Sequence, residues 1–409
     1  MVCDAKFSQY DTEMLTQRII DFRPDIVGIT AYTCEINEAG MLADFVKKNL
    51  PATQVIVGGP HVSAIPTDCM MEFQAFDIGV IGEGEISLTE ICEALINNVE
   101  LSNIKGIVYR DNENNIVLTD KRDTVNNLDE LPPPAWHMLP PAPEYFIQTG
   151  RGCPFQCNFC FNSNGNFIRM RSVDSVIAEM LWLIDNVKPL RISFGDEVFG
   201  LNRRFTYALL EKMIALGIDK KVNWDVQTHV NVINEELIAK MKLAGVTRIE
   251  MGVESGNDEI LARMGKSISR KTIADAFSLA KKYKIATGAF LIFGHPEETK
   301  RSIWQSIRFV AQLNPTEPVF AIMVPYPGTL VAQWFHNSEM GYIDNRKPWS
   351  SYRKQINGIM NLERISNRQL KLYLLIANVW VYLAHFRILG FTRFVFSNIK
   401  NIRFFFKHL

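Results

Sequence analysis

The chain has 409 residues, enough for two or more domains, and its 44 Lys and Arg balance 44 Asp and Glu, so the formal net charge is zero. A neutral balance argues against a broad nucleic-acid-binding surface. The first residues lack the basic start and apolar run of a secretory signal, so we place the chain in a reducing cytoplasm.

Residues 1–127 alternate short β-rich runs with helical patterns. The predicted strands are 25–30, 54–60 and 76–85, the predicted helices are 38–50 and 87–97, the second opening with a capping serine, and a predicted hairpin covers 106–120. Strand–helix alternation of this kind predicts a doubly wound, Rossmann-like parallel sheet with helices on both faces.

Residues 128–144 form a proline-rich stretch that cannot continue a helix or a central strand. Six prolines fall between positions 128 and 145. We interpret the stretch as an extended linker between two domains.

Residues 145–330 repeat a longer strand–helix unit six times. The predicted strands are 145–150, 191–196, 223–228, 248–255, 287–294 and 319–326. This order predicts a partial (β/α)6 barrel of the TIM type, in which the chemistry lies at the carboxyl ends of the strands.

Residues 331–409 are predicted to form a C-terminal helical extension. The apolar stretch 370–396 is interrupted by Lys371, His385, Arg387 and Arg393, and no uninterrupted run is long enough to span a membrane. We expect one or two helices packed on the barrel. The alternative is a helix lying on a membrane surface, because aromatic residues mixed with Lys and Arg suit that interface.

Three of the seven cysteines, Cys153, Cys157 and Cys160, fall within eight residues, directly after the first barrel strand. Disulfides cannot use all three, and cytoplasmic thiolates bind soft metals or iron–sulfur clusters. A structural zinc ion would need a fourth ligand, and a redox pair would leave one cysteine unused. Candidate fourth ligands are His137, His229 and His295, none of them at zinc-finger spacing. A [4Fe–4S] cluster would use all three cysteines and leave one iron free for a ligand that is not protein.

This CxxxCxxC spacing, with Phe159 before the last cysteine, resembles the signature of the radical S-adenosylmethionine (SAM) enzymes. The resemblance implies that SAM chelates the free iron, and that its reductive cleavage gives a 5′-deoxyadenosyl radical that starts chemistry on a substrate. It also implies SAM contacts at three strand ends, besides Phe159. These are Gly195, Asp196 and Glu197 at the second strand, Glu254 and Ser255 at the fourth, and Ile292 and Gly294 at the fifth.

Glycine-rich motifs follow the predicted strands of the first domain, where open α/β sheets bind ligands. Placed before such a barrel, they resemble the cobalamin-binding domain of the cobalamin-dependent radical SAM class. The residues implied as cobalamin contacts are Thr30, Gly58, Gly59, His61, Gly82, Glu83 and Gly84.

Two features depart from that class. The DxHxxG motif, whose histidine binds cobalt in many cobalamin domains, is absent, and His61 is not in that context. In that class a further strand and helix usually precede the CDAKF segment, at which this sequence begins, so the sheet is expected to lack its first strand. The alternatives are a truncated start, a sheet that closes differently, or a domain that no longer binds cobalamin.

The resemblance implies a radical SAM enzyme that methylates an unactivated carbon with cobalamin. The alternatives are radical oxidation or cyclisation without cobalamin, an iron–sulfur electron relay without catalysis, and a zinc-stabilised interaction module. The expected partners are a small or hydrophobic metabolite and a flavodoxin-type reductase, with no nucleic acid and with a peripheral membrane contact through the tail as an option.

Overall fold

The computed structural model describes residues 1–3, 12–345, 347–354, 359–385 and 392. They form an N-terminal α/β unit, a larger α/β unit and a helical extension, and each α/β unit is built on its own sheet.

The N-terminal sheet has the order β1-β2-β3-β4-β5, in which the first three strands are parallel and the last two antiparallel. The strands are β1 (Ile26–Thr30), β2 (Gln54–Gly58), β3 (Ile78–Val80), β4 (Ile107–Arg110) and β5 (Ile116–Leu118). The helices are α1 (Thr12–Phe22), α2 (Ile36–Asn49), α3 (Pro60–Ala64), α4 (Pro66–Glu72) and α5 (Glu85–Asn97). The three predicted strands and the hairpin are present, although the third covers only Ile78–Val80 of the predicted 76–85.

Two details of this unit differ from the prediction. Helix α1 was not predicted, although Leu15 and Ile19 lie one turn apart and pack into the core. The capping role expected of Ser87 is wrong, because α5 begins two residues earlier and the Ser87 hydroxyl donates to the Lys105 carbonyl. The expected absence of a first strand concerns the part of the fold that comes before the CDAKF segment, and residues 4–11 lie outside the described residues.

The larger sheet has the order β13-β12-β11-β10-β9-β6, and every neighbouring pair is parallel. Its strands are β6 (Glu144–Ile147), β9 (Arg191–Phe194), β10 (Asn223–Thr228), β11 (Val246–Glu254), β12 (Ala286–Phe293) and β13 (Glu317–Ile322). Because spatial order follows chain order, the six strands form the predicted partial barrel.

The barrel helices begin with polar caps that satisfy the first free N–H groups, as at Ser172, Asn202 and Asn234. The helices are α6 (Val173–Asn186), α7 (Arg203–Ala215), α8 (Glu235–Leu243), α9 (Asp258–Arg263), α10 (Arg270–Lys282) and α11 (Lys300–Leu313). Their apolar faces pack on one face of the strands, where alternate residues such as Trp224 and Val226 lie, and together they form one large core.

The proline-rich stretch is attached to the barrel rather than free. The Trp136 indole donates to Glu179 at 2.9 Å, and Asp129 accepts from the Ser172 N–H. The domain boundaries at 127, 144 and 330 stay predictions.

The C-terminal extension contains α12 (Leu330–His336), a 3-10 turn at Trp349–Ser351 and α13 (Asn367–Leu383). The expected helix packed on the barrel is present as α13, which lies against β13 and α11. Of the helices in the described part of the chain, none is long and apolar enough to cross a membrane. The predictions for residues beyond 385 fall, apart from position 392, outside the described residues.

Candidate functional site

The three cysteines lie on one loop that is closed at its base by a two-stranded ladder. Strands β7 (Gly150–Arg151) and β8 (Arg169–Met170) pair antiparallel on either side of it. Gly152 enters the loop with φ of 95°, and a Cβ there would lie 2.0 Å from the Phe167 carbonyl oxygen. Only glycine therefore fits, and the loop folds back beside the carboxyl end of β6.

Two asparagines on this loop hold it in place. The Asn158 amide N–H donates to the Met264 carbonyl at 3.0 Å, and its side chain donates to the Arg263 carbonyl at 2.7 Å. The Asn162 side chain donates to the Cys153 carbonyl at 2.8 Å. The cysteine loop is thus attached to the end of α9, a segment 105 residues later in the chain.

The thiols interact with one another. A hydrogen bond between Cys157 and Cys160 lowers the pKa of Cys157 and raises the pKa of Cys160, because the thiolate formed first is stabilised by the proton that the other keeps. Burial raises the pKa of Cys153. No three His, Cys, Asp or Glu side chains among the described residues converge as ligands of one metal ion. A cubane takes each thiolate on a different iron, and three thiolates on one short loop fit that donor set.

Asp196 and Glu197, which follow β9 in the FGDE segment, have different roles. Asp196 is buried, and its carboxylate accepts from the Thr149 N–H at 2.6 Å and from the Thr149 hydroxyl, just before the cysteine loop. Burial raises its pKa to about 6. Glu197 accepts from the Asn164 side chain at 2.5 Å, and its other oxygen is buried without a partner among the described residues. Asp196 therefore supports the loop, and Glu197 has an oxygen available for a cation such as the SAM ammonium.

Glu254 ends β11 in a strained conformation, with φ of 58°. Its carboxylate forms a buried ion pair with Lys266, a residue that sequence reasoning missed. Next to it, Ser255 is fully buried and bonds the Ser306 hydroxyl and the Asn257 N–H. The structure thus places Glu254 at the site and gives Ser255 contacts that anchor the strand end to α11.

Two buried histidines, His229 and His295, lie near Lys266. The sequence presents them only as candidate zinc ligands. Burial lowers the pKa of His229 and of His295 to about 4, and the Lys266 charge adds to both shifts. His229 stacks on Phe155 of the cysteine loop, with ring centroids 4.0 Å apart. Lys266 and both imidazoles therefore share one electrostatic environment with the cysteine loop.

The fifth strand ends under the C-terminal extension. Gly294 has φ of 97°, and its N–H donates to Glu298 at 2.6 Å. Burial raises the pKa of Glu298 to about 8, so this carboxyl keeps its proton at neutral pH. A Cβ at Gly294 would lie 3.2 Å from Met360. Ile292 and Phe159 are half-buried against the barrel core.

The predicted cobalamin residues of the first unit gather at the carboxyl edge of its sheet. Gly59 has φ of 104°, and a Cβ there would lie 2.7 Å from the Ala31 carbonyl oxygen. Of the described residues, none outside their immediate chain neighbours lies within 4 Å of the Cβ positions of Gly58 and Gly82. Gly82 donates to Ser63 at 2.9 Å, and Thr30 is exposed. An open, glycine-lined edge fits the close approach of a large cofactor.

His61 is buried at this edge. Its Nδ1 lies 3.2 Å from the Thr33 hydroxyl, its Nε2 has no partner among the described residues, and burial lowers its pKa to about 4. Trp349 of the extension packs against the imidazole with ring centroids 4.9 Å apart. The neutral ring thus lies between the sheet edge and a segment from the other end of the chain.

Glu83 of the glycine-rich GEGE segment joins the two units. Its oxygens accept from both terminal nitrogens of Arg169 at 2.7 and 2.9 Å, and Arg151 lies 3.3 Å away. Burial alone raises the pKa of Glu83, but the hydrogen bonds from Arg169 and the Val125 N–H outweigh it and lower the pKa. Its neighbour Gly84 caps α5.

Gly328, after β13, lies where two ligand edges meet. These are the cysteine loop of the barrel and the glycine-lined edge of the N-terminal sheet. A Cβ at this position would lie 2.5 Å from the Phe161 ring, beside Cys160, and 3.2 Å from Ala64 at the end of α3. The cysteine loop and the glycine-lined edge therefore meet within a few side chains of each other. Which of these residues touch a cofactor stays a prediction.

Comparison with known proteins agrees with this arrangement. Residues 147–310 match the family model of the radical SAM superfamily, and residues 2–92 match that of the B12 binding domain. An uncharacterized methyltransferase of Pyrococcus horikoshii is 33% identical over 372 residues, covering 88% of this chain and 79% of that protein. The anaerobic magnesium-protoporphyrin IX monomethyl ester cyclase of Cereibacter sphaeroides is 26% identical, covering 81% of this chain and 56% of that protein.

Two solved structures share the fold at low sequence identity. The radical SAM methyltransferase TsrM from Kitasatospora setae, with cobalamin and a [4Fe-4S] cluster bound, has a TM-score of 0.72 at 16% identity and covers 94% of this chain and 82% of that one. The cobalamin-dependent radical enzyme OxsB, with aqua-cobalamin and SAM bound, has a TM-score of 0.72 at 17% identity, covering 90% and 60%.

Proposed function

Because the chain belongs to the radical SAM superfamily and carries its B12-binding domain, we propose that it is an enzyme that methylates an unactivated carbon with the help of cobalamin. Bound together, a [4Fe–4S] cluster, SAM and cobalamin supply the radical that activates the substrate and the methyl group that it receives. The observation that carries the proposal is the meeting of the cysteine loop with the glycine-lined edge at Gly328.

The chain's own residues have distinct tasks in this proposal. Cys153, Cys157 and Cys160 hold the cluster, and Glu197 offers its free buried oxygen to the ammonium group of SAM. Asp196 fixes the start of the cysteine loop through Thr149.

The proposed substrate is a small or hydrophobic metabolite, and the proposed electron donor is a flavodoxin-type reductase of the reducing cytoplasm. The relatives include enzymes that act on tetrapyrroles and a hopanoid C-3 methylase, which supports an apolar substrate. Radical oxidation or cyclisation without methyl transfer is the second candidate, since several relatives are named as cyclases.

The test is anaerobic reconstitution followed by reduction with dithionite in the presence of SAM. We expect about four irons per chain and formation of 5′-deoxyadenosine. Cys157→Ala should lose both, whereas Cys69→Ala, which changes a buried cysteine outside the loop, should keep both. Retention of iron and cleavage by Cys157→Ala would contradict the cluster assignment.

Cobalamin is tested separately by anaerobic incubation with hydroxocobalamin and gel filtration. The wild type should retain it, and Gly58→Phe should not, because the new ring would enter open space at the sheet edge. If the wild type retains none, the methylation proposal fails and the second candidate replaces it.

A further inference from the structure

The charges of this neutral chain are unevenly distributed. From Arg364 to Leu409 the last 46 residues contain eight Lys and Arg and no Asp or Glu. The first 363 residues hold the other 36 basic residues and all 44 acidic ones, so they carry a net charge of −8 and the C-terminal part +8. A basic segment on an otherwise acidic protein is a candidate for contact with an anionic partner.

Helix α13, which carries Arg368 and Lys371 of these eight basic residues, lies along the flank of the barrel. At its start, Leu370 packs beneath Gly294 at the carboxyl end of β12, and beyond its end the His385 ring lies 2.6 Å from the Ala311 carbonyl oxygen in α11. The helix therefore runs beside α11, from the cofactor end of the barrel to the opposite end. Its outer side exposes Leu372, Trp380 and Leu383, each to about half of its surface (43, 46 and 56%).

The two helices enclose a shallow groove of about 450 Å³. Trp304 contacts the rings of Tyr373 and Trp380 edge-on, with centroids 6.2 and 5.9 Å apart. Arg301 and Arg308, both exposed on α11, flank the indoles, and no carboxylate lines the groove among the described residues. The surface thus combines exposed indole and leucine side chains with uncompensated positive charge.

We propose that this α11–α13 face, formed by Arg301, Trp304, Arg308, Leu372, Trp380 and Leu383, docks on an anionic phospholipid surface. Indole rings favour the interface between water and lipid, and clustered Arg and Lys are attracted to anionic headgroups. In the sequence, the residues after 385 contain five Lys and Arg and seven Phe, a composition that favours lipid over nucleic acid. The proposal goes beyond the proposed function and holds whatever the reaction is.

The experiment is flotation of the purified full-length protein with large unilamellar vesicles. We expect binding to phosphatidylcholine mixed with phosphatidylglycerol to exceed binding to phosphatidylcholine alone by about tenfold or more, and to weaken with added salt. The double variant Arg301→Glu/Arg308→Glu should lose about tenfold in binding to the mixed vesicles. Trp380→Ala should also weaken it, and wild-type tryptophan fluorescence should shift to the blue on binding.

Matched variants on other faces serve as controls. Lys220→Glu/Lys221→Glu reverses two exposed charges after α7, and Trp182→Ala removes a partly exposed indole on α6. Both should bind like the wild type. Absence of flotation, equal binding to both vesicle types, or equal loss in the control variants would overturn the proposal. Retention by random-sequence RNA without flotation would assign the basic surface to nucleic acid instead, and a dimer abolished by Trp380→Ala without flotation would assign it to self-association.

Discussion

Lys266 is the buried cation of the barrel site, and its partner Glu254 is equally buried, with side-chain exposures of 7 and 8%. Removing one member of such a pair leaves the other charge without compensation, which costs about 3–5 kcal/mol. We therefore expect Lys266→Met to lower the free energy of unfolding by that amount in urea titrations of the apoprotein. The double variant Glu254→Gln/Lys266→Met should recover most of the loss, because neither charge then remains buried.

Lys271→Met is the matched control, since Lys271 is exposed and pairs with exposed Asp275. It should change stability by less than about 0.5 kcal/mol. A loss below about 1 kcal/mol for Lys266→Met would mean that Glu254 reaches water or another partner, contrary to the structure.

Glu298 should make the free energy of unfolding of the protein depend on pH. Its pKa rises from 4.5 to about 8 on folding, so between those values the folded protein holds a proton that the unfolded chain has released. Stability from this group is therefore present below pH 4.5 and is lost as pH rises through 8. Glu298→Gln cannot ionise, and its stability relative to wild type should increase by about 1.4 kcal/mol for each pH unit inside that window.

Thermal unfolding of both proteins between pH 5 and pH 9 measures this difference. Glu297→Gln is the control, because Glu297 is a partly exposed neighbour paired with Arg263. A wild-type minus Glu298→Gln difference that does not vary with pH would show that this carboxyl is ionised in the folded protein.

The conformation of the cysteine loop depends on Gly152. A Cβ at that position would overlap the Phe167 carbonyl, so Gly152→Ala should open the loop at its base and separate the thiols. We expect reconstituted iron to fall well below half of the wild-type content while the far-ultraviolet circular dichroism is unchanged. The measurement is iron per chain after anaerobic reconstitution.

Gly165 offers a control on the same loop. It also has positive φ, 85°, but its Cβ would have 3.9 Å of clearance to Thr124. Gly165→Ala therefore tests the conformational strain without the overlap, and it should keep most of the iron. Equal losses in both variants would mean that strain, and not the overlap with Phe167, limits cluster assembly.

The strands and the cysteine loop were predictable because their signals are local. The alternation of apolar and polar residues in 223–228 and the apolar run in 287–294 mark strands by themselves, and residues at parallel strand ends must converge. Lys266 follows its partner Glu254 by twelve residues, in a segment with no distinguishing pattern. The division of labour between Asp196 and Glu197 also depends on distant Thr149 and Asn164, and the sequence does not show these pairings.

At the scale of the whole molecule, each unit has its own core, and buried ions connect them. The large barrel core and the two cores of the N-terminal unit are separate. Between them, Arg169 and Glu83 pair with side-chain exposures of 7 and 6%, and Arg151 adds a second cation. The relative position of the two ligand edges therefore depends on Glu83. From the sequence alone, Glu83 was predicted to contact cobalamin.

Glu83→Gln should uncouple the two units. It leaves Arg169 buried without its anion, which lowers the free energy of unfolding by about 3–5 kcal/mol. Because the pair lies between the units, this loss weakens their interface and leaves both cores unchanged. We expect one calorimetric transition in the wild type and two in Glu83→Gln, with faster hydrogen exchange at residues 82–85 and 164–169 of the variant. Glu90→Gln makes the same chemical change at the Arg122 pair inside the N-terminal unit and should keep one transition. A single, unshifted transition in Glu83→Gln would show that the other contacts between the units, such as Gly328 against Phe161 and Trp349 against His61, hold the two ligand edges together without this ion pair.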